Sequence, residues 1–283
     1  MFTSGGKHKK GIIYIEMNPF KNISGLFLAS SDKPVSPLKG SLNYLLVCVL
    51  IIIVFWASVS VLNVSFSFSF VDYYGARILN GFILTIQISV ASLIVSLILG
   101  TLVAIGQSSR ILPIRYLCDV YVKVIRGTPL IMQIYLFFYI IGAAWGIESR
   151  FLAGVLILSV FEGAYIAEII RGSFLSLDET QLEAARSVGF TRRQTMRFVI
   201  LPQMIARTLP ALTGQFANVI KDSSLLSIIA VIEMTQTMRE ISAATFQLFE
   251  SYILLGVLYL CLTLPITFVS RQFEKRFNYA RQT

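Results

Sequence analysis

Histidine is almost absent from this sequence, since His8 is the only one among 283 residues. A single imidazole in a basic stretch leaves no base for a serine or cysteine triad and no histidine cluster for a metal ion. The three cysteines, Cys48, Cys118 and Cys261, lie far apart in or beside apolar runs, which indicates neither a disulfide framework nor a thiolate metal site. Hydrolytic and metal-dependent chemistry are therefore not expected of this chain.

A phosphate-binding loop is missing as well. No segment follows the pattern G-x-x-x-x-G-K-[ST], so we expect no ATP hydrolysis by this chain and do not expect it to be an enzyme. Charge is also scarce, because charged residues make up 14% of the chain and hydrophobic residues 55%. That balance lies far outside the composition of soluble domains and predicts an integral membrane protein.

Long apolar runs fill most of the remaining sequence. About 20 apolar residues in a helix are needed to cross a bilayer, because lipid offers no partners to backbone amides. Six segments qualify: 43–62, 80–106, 117–142, 151–172, 208–232 and 251–270. The sequence therefore predicts an all-α integral membrane protein with about six transmembrane helices, which we divide into a flexible basic tail (1–41), an extra N-terminal transmembrane helix (42–63), a transmembrane domain (78–275) and a second tail (276–283).

The basic residues predict the orientation in the membrane. Lysine and arginine are retained on the cytoplasmic side of short loops. If the N-terminus lies inside, the inner segments collect the six tail lysines and most arginines, and the outer loops hold only Arg77, Arg150 and Arg239. We therefore expect both termini in the cytoplasm. The net charge of +9 follows from this topology, and no nucleic-acid partner is expected.

A charged segment, 176–202, separates the fourth and fifth predicted spans. Ser176 and Glu179 have the spacing of a capping box, so a helix is predicted to begin near Leu177 and to end near Val188. Gly189 can then adopt the left-handed conformation that commonly ends helices.

A second helix is predicted directly after that glycine. Thr191 and Gln194 form another capping-box pattern, and Pro202 is expected to end the helix. Small side chains on the first helix would let another backbone approach closely: Ala184, Ala185 and Val188. This shape favours docking of a partner. Two weaker alternatives are a plain solvated connector and a DNA-reading helix-turn-helix, which membrane spans at both ends would keep out of a major groove.

Several motifs in this chain resemble those of a known family. Glu183, Ala184 and Ala185, followed by Gly189 and later by Leu201 and Pro202, resemble the EAA loop of ABC importer permeases, with Val199 at a position that usually holds isoleucine. Further motifs resemble the polar amino acid subfamily (histidine, glutamine and arginine type): NGFILTIQIS from Asn80, RGTPLIMQ from Arg126, AYIAEIIRG from Ala164 and KDSSLLS from Lys221. The resemblance covers about residues 78–275.

The resemblance implies a permease subunit of an ATP-driven importer in the bacterial inner membrane. Such a subunit pairs with a second permease copy or a close relative, and it receives a polar amino acid from an extracytoplasmic binding protein. It sits on a cytoplasmic ATPase dimer that holds ATP and magnesium, while the permease itself binds no cofactor. Contact with the ATPase is then expected from six residues: Glu183, Ala184, Ala185, Gly189, Leu201 and Pro202. The alternative function, an ATP-independent channel or a membrane scaffold, would not need segment 183–202.

Ionisable residues inside the spans are costly in lipid and are candidates for function. Glu162 lies about eleven residues into its span, near the midplane, where it would attract a cationic substrate, pair with a neighbouring helix or stay protonated. Lys221 and Asp222 would point about 100° apart on a continuous helix, so no ion pair between them is expected. KDSS favours a local break, which either lines the substrate path or is purely structural. The predicted path residues are Glu162, Tyr165, Lys221, Asp222 and Ser223.

Two further features concern charges near the ends of spans. Arg126, Gly127, Thr128 and Pro129 interrupt the third span, because proline lacks an N–H and restricts the residue before it. Arg126 then lies on an interfacial helix and snorkels to headgroups. Glu168 and Arg171 are three residues apart and are predicted to form an ion pair on one helix surface.

Overall fold

The computed structural model of the chain describes residues 36–61 and 66–279, with side chains in the last helix as far as Gln272. The chain divides into two compact units, Met1–Ser65 and Phe66–Thr283.

The first unit contains one described helix, α1 (Pro37–Ser60). The Ser36 hydroxyl accepts a hydrogen bond from the Lys39 N–H, and Pro37 fits the first turn because its missing N–H would have no partner there. No residue of α1 is buried, and the helix is long and apolar enough to cross a membrane. The helix overlaps the first predicted span, while most of the predicted tail lies outside the described residues.

The second unit consists of helices joined by short connections. In chain order they are α2 (Phe70–Gln107), α3 (Leu112–Gly127), α4 (Leu130–Tyr135) with a π-helical continuation (Leu136–Gly142), α5 (Arg150–Leu175), α6 (Glu179–Ser187), α7 (Arg192–Thr195) with a π-helical continuation (Met196–Ile200), α8 (Leu201–Asp222), a 3₁₀ helix (Ser223–Ile229), α9 (Met234–Thr245) and α10 (Leu248–Tyr279). The described part of the chain contains no β-strand. The prediction of an all-α membrane protein is confirmed.

Across the described part of the chain, four helices are individually long and apolar enough to span a bilayer: α1, α2, α5 and α10. Two bent pairs bring the number to six if each pair counts as one span. One pair joins α3 to α4 and its continuation, and the other joins Arg192–Ile229 to α9. The structure thus agrees with about six spans, and the two spans for which the sequence predicted an interruption, 117–142 and 208–232, are broken.

The first break lies at Thr128 and Pro129, where the chain turns by 112° between α3 and α4. Thr128 is extended, with ψ 148°, as expected for a residue before proline. The Gln133 side chain closes the gap, since its Nε2 donates to the Ile125 carbonyl and to Thr128 Oγ1, each at 2.8 Å. The predicted interruption of the third span is confirmed, and Gln133 satisfies backbone that the break leaves open.

The second break follows Asp222 in the fifth predicted span. The α-helix tightens into the 3₁₀ helix, and Ala230 then adopts a left-handed conformation with φ 54°. The chain direction changes by 51° before α9 begins. The local break that KDSS predicts is therefore present.

Helices α2 and α5 form the main packing contact of the bundle. A Cβ atom placed on Gly100 would lie 2.7 Å from Ile166 Cγ2 and 2.8 Å from the Gly163 carbonyl oxygen. Glycine is required for this close approach, because the opposing backbone cannot move aside. The contact fixes the position of α5 in the bundle.

Candidate functional site

A fully buried carboxyl lies in the middle of α5. Leu158, Glu162 and Ile166 are spaced four residues apart on one face of the helix, and each is 0% exposed. The Gln215 side chain on α8 donates a hydrogen bond to Glu162 Oε2. Glu162 Oε1 has no hydrogen-bond partner within the described part of the chain. One oxygen of a buried carboxyl is therefore left to accept from something else.

The Asp222 carboxyl, at the end of α8, lies close enough to the Glu162 carboxyl for the two groups to interact electrostatically. Two ionised carboxylates cannot hydrogen-bond to each other, so this arrangement needs either a proton on one of the carboxyls or a donor placed between them. An ammonium or guanidinium group meets that requirement and brings a compensating charge. We refer to Glu162 and Asp222 as the carboxyl pair. The sequence predicted both residues, but their contact depends on how α5 packs against α8.

The other predicted path residues lie away from the carboxyl pair or have internal partners. Tyr165 is half-buried, packs on Phe161 with ring centroids 5.0 Å apart, and lies beneath the Arg126 guanidinium at 5.3 Å. Lys221 is exposed and forms no ion pair with Asp222, as expected from their angular separation. Ser223 is buried and donates to the Ile220 carbonyl at 2.7 Å. Of the five predicted residues, the structure brings only Glu162 and Asp222 together as a carboxyl pair with a free hydrogen-bond acceptor, Glu162 Oε1.

A second charged group lies between α3 and α5. Glu168 pairs with Arg171 on the same helix, as predicted, and also with Arg126 Nη1 at 3.4 Å. Arg126 is therefore held by a carboxylate and an aromatic ring as well as lying at the end of an amphipathic helix. The sequence-based expectation that Arg126 snorkels to headgroups did not include these two partners within the protein.

Two residues of the buried polar region were not singled out from the sequence. Gln215 was missed although a polar amide within an apolar span is a detectable signal. Glu233 is 0% exposed and caps α9 by accepting from the N–H groups of Thr235 and Gln236 at 2.7 and 2.8 Å. Tyr259 also donates to Glu233 at 3.2 Å. Glu233 thus satisfies the freed N–H groups after the second break.

The charged segment 176–202 folds as two helices with a turn between them. Gly189 adopts φ 79° in this turn, as predicted. The Thr191 and Gln194 capping box is present with both of its hydrogen bonds. These features confirm the predicted local conformation around the turn.

The other two boundary predictions are wrong. Asp178 caps α6 instead of Ser176, because Ser176 ends α5 and its hydroxyl donates to the Ser173 carbonyl. Pro202 does not end the second helix but lies in the first turn of α8. The wider π-helical turns that precede it accommodate a ring without an N–H.

Asp178 is held as an ionised cap. Hydrogen bonds from the Thr180 hydroxyl and N–H lower the pKa of the Asp178 carboxyl, and the positive charge of Arg207 contributes in the same direction. A charged oxygen at this position stabilises the first turn of α6 through the helix dipole.

The segment presents an exposed apolar surface. Ala185 is only 5% exposed, so it is not available for docking and the predicted small-residue patch is incomplete. Glu183, Ala184, Leu201 and Pro202 are exposed. Several exposed apolar side chains lie around the turn, and we call four of them the loop patch: Val188, Phe190, Phe198 and Leu201. Phe190 and Phe198 contact each other with ring centroids 6.4 Å apart, which fixes the turn against the second helix.

Helices of membrane-spanning length, breaks beside a buried carboxyl pair and a polar two-helix loop are features of multi-pass membrane transport subunits. Residues 96–279 match the family described as binding-protein-dependent transport system inner membrane component, and the chain belongs to this family.

Individual relatives agree with this assignment. The chain is 35% identical over 217 residues to the probable glutamine ABC transporter permease protein GlnM of Bacillus subtilis, which covers 77% of this chain and 99% of that protein. It is 31% identical over 202 residues to the arginine transport system permease protein ArtQ of Bacillus subtilis, covering 71% of this chain and 92% of that protein. The crystal structure of an amino acid ABC transporter with histidines matches with TM-score 0.70 and 34% identity, over 75% of this chain and all of that chain.

The resemblance to ABC permeases predicted from the motifs is confirmed. The relatives are membrane permease subunits of amino acid ABC transporters and are not enzymes. None of them supports the alternative of an ATP-independent channel or scaffold.

Proposed function

We propose that this chain imports a polar amino acid and that the carboxyl pair contacts a cationic group of the substrate. The observation that carries the second part is the unpartnered Glu162 Oε1 beside Asp222 in a fully buried position. A buried acceptor without a donor costs about 1–3 kcal/mol, which a bound ammonium or guanidinium would recover. Arginine, lysine and histidine side chains are the substrates that fit this site best.

The partners follow from the loop patch and from the family. An ATPase dimer holding ATP and magnesium docks on segment 176–202 from the cytoplasm, with Glu183, Gly189, Leu201 and Pro202 near the contact. Exposed aromatic and aliphatic side chains beside charged ones are typical of such docking surfaces. A second permease copy or a homologous permease completes the pathway, and an extracytoplasmic binding protein delivers the amino acid. Both termini lie in the cytoplasm of a bacterial cell.

Transport requires two conformations that the ATPase binds with different affinity. ATP binding closes the ATPase dimer and moves α6 and α7 with it. Helix α7 continues through a π-helical segment into α8, which ends at Asp222, so this motion acts on the carboxyl pair and alternates its access between the two sides. The substrate is released when the pair opens toward the cytoplasm.

The docking role is tested by comparing one substitution at two matched glycines. Gly189→Asp and Gly146→Asp both place a side chain at an exposed left-handed position, φ 79° and 66°, with no atom within 4 Å of the new Cβ. Each costs about 1–2 kcal/mol of backbone strain at most. Only Gly189 lies in the proposed ATPase contact, so only Gly189→Asp adds a negative charge there.

We expect wild type and Gly146→Asp, purified gently from native membranes, to bring down an ATPase with a phosphate-binding loop. Gly189→Asp should insert normally, lose most of that ATPase and lose uptake. Equal ATPase recovery and uptake with both variants would refute docking at Gly189. Absence of any ATPase from wild type would refute the proposed function as a whole.

A further inference from the structure

We propose that Arg207, on α8, is a positioning residue that binds the C-terminal end of α5. Through this contact it transmits movement of the docking loop, as we call segment 176–202, to α5. The inference rests on the proposed function of segment 176–202, and it concerns a residue outside the docking contact. The contact would make α5, which carries Glu162, move together with α8, which carries Asp222.

The geometry of Arg207 is that of a clamp on a helix end. Its Nη1 donates to the backbone carbonyl of Ser176, and to Ser176 Oγ at 2.7 Å. Ser176 is the C-cap of α5, and its hydroxyl donates onward to the Ser173 carbonyl at 2.8 Å. The last carbonyls of a helix carry partial negative charge and lack backbone donors, so a guanidinium is well suited to bind them.

Two contacts join the docking loop to the part of the chain just before Arg207. Gln203 on α8 donates to the Gln181 side chain on α6, and Phe190 contacts Phe198 just before α8. Movement of α6 is therefore passed to the first turns of α8. The charge of Arg207 also acts on Asp178, in the link between α5 and α6.

Transmission of the loop movement along α8 alone would be weakened by the prolines in this helix. Pro202 and Pro210 both lack the N–H that continues the hydrogen-bond ladder, and the π-helical segment Met196–Ile200 precedes them. Arg207 lies between the two prolines, so its contact passes force to α5 before the second weak point. From Ser176, α5 is an uninterrupted helix back to Glu162, which is about 21 Å away at 1.5 Å per residue.

Without this contact, the end of α5 would still be joined to the docking loop by the short link at Leu177 and Asp178. The helices would still fold, because α5 is anchored by its packing on α2. What would be lost is the link between the cytoplasmic ends of α5 and α8, while the hydrogen bond from Gln215 to Glu162 would still join the two helices deeper in the bundle. Arg207 thus acts on coupling more than on stability.

The test uses the permease purified with its own ATPase and reconstituted in liposomes with its binding protein, with arginine and glutamine as transport probes. Arg207→Ala removes the clamp, and Arg207→Lys keeps a cation that can still donate to the Ser176 carbonyl. Arg110→Ala is the matched control, since Arg110 is an exposed arginine in the connection between α2 and α3. Amino acid uptake, ATP hydrolysis and ATPase recovery are measured for each variant.

We expect Arg207→Ala to retain the ATPase and its ATP hydrolysis. The ratio of amino acid transported to ATP hydrolysed should fall by about tenfold or more, because a hydrogen bond to a charged group is lost. Arg207→Lys should restore most of this ratio, and Arg110→Ala should leave it unchanged. Rescue by lysine is a result that a mere packing defect would not give.

Unchanged uptake per ATP in Arg207→Ala would overturn the inference. Loss of the ATPase from Arg207→Ala would also overturn it, because Arg207 would then belong to the docking contact. If wild type carries no ATPase, the proposed function itself fails, and this outcome is distinct from the other two.

Discussion

Replacing Glu162 by glutamine removes one charge from the carboxyl pair and changes little else. Glutamine has nearly the same shape, and its amide oxygen can still accept from Gln215. The other carboxylate oxygen then becomes an NH₂ group, and the negative charge is lost. A hydrogen bond to a charged group contributes about 1.5–3 kcal/mol, so transport affinity for a cationic amino acid should fall by about 10-fold to 150-fold.

A neutral amino acid does not depend on that charge, so its transport should change much less. The assay is competition between radiolabelled arginine and unlabelled glutamine, in both directions, in liposomes that contain the complete transporter. Glu148→Gln is the control, because Glu148 is an exposed glutamate in the loop before α5 and the substitution is the same. We expect Glu148→Gln to match wild type for both substrates.

An equal loss of arginine and glutamine transport in Glu162→Gln would refute charge selection, because the residue would then be needed for every substrate. Wild-type transport of both would refute it as well, since the carboxyl pair would not be on the substrate path. Asp222→Asn should shift preference in the same direction, because the two carboxyls share the site.

Two other outcomes follow from the structure. Gly100→Ala places a methyl group against Ile166 and should lower the free energy of unfolding in detergent by about 1–3 kcal/mol. Gly172→Ala is the control, because no atom lies within 4 Å of the new Cβ, and it should leave the stability unchanged or raise it. Equal melting temperatures of the two variants would contradict the close α2–α5 contact. Because its pKa is lowered, Asp178 stabilises α6 fully above the ordinary carboxyl value of about 3.9, and this stabilisation is lost as pH falls through the lower folded value. Hydrogen exchange should show protection of the first turn of α6 decreasing with acid in wild type but not in Asp178→Asn, and a flat wild-type profile would argue against this cap.

The features that could be predicted from sequence are those set by local chemistry. The turn at Gly189 and the capping box at Thr191 depend on neighbouring residues, and the structure contains both. The break at Pro129 follows from the missing N–H of proline. Apolar runs of sufficient length likewise gave the all-α membrane fold.

The incorrect predictions depended on competition between local patterns and on packing between helices. Ser176 fits a capping box by spacing, but α5 continues to Leu175 and uses Ser176 as its own cap, so the next acidic residue begins α6. Pro202 would end an ordinary α-helix, but the π-helical turns before it are not visible in a residue pattern. The contact of Glu162 with Asp222 joins residues on separate helices, which no local rule could place.

The bend at Pro129 has a consequence for biogenesis. The helix after the bend, α4 with its continuation, consists of segments of 6 and 7 residues, about 20 Å in length, while the hydrocarbon core of a bilayer is about 30 Å thick. Such a segment is too short for stable insertion by its own hydrophobicity, and the charged α3 before it cannot make up the difference. We therefore expect its entry into the membrane to be completed by packing against α5, which is synthesised later, so that folding adds to partitioning in the insertion of this part of the chain.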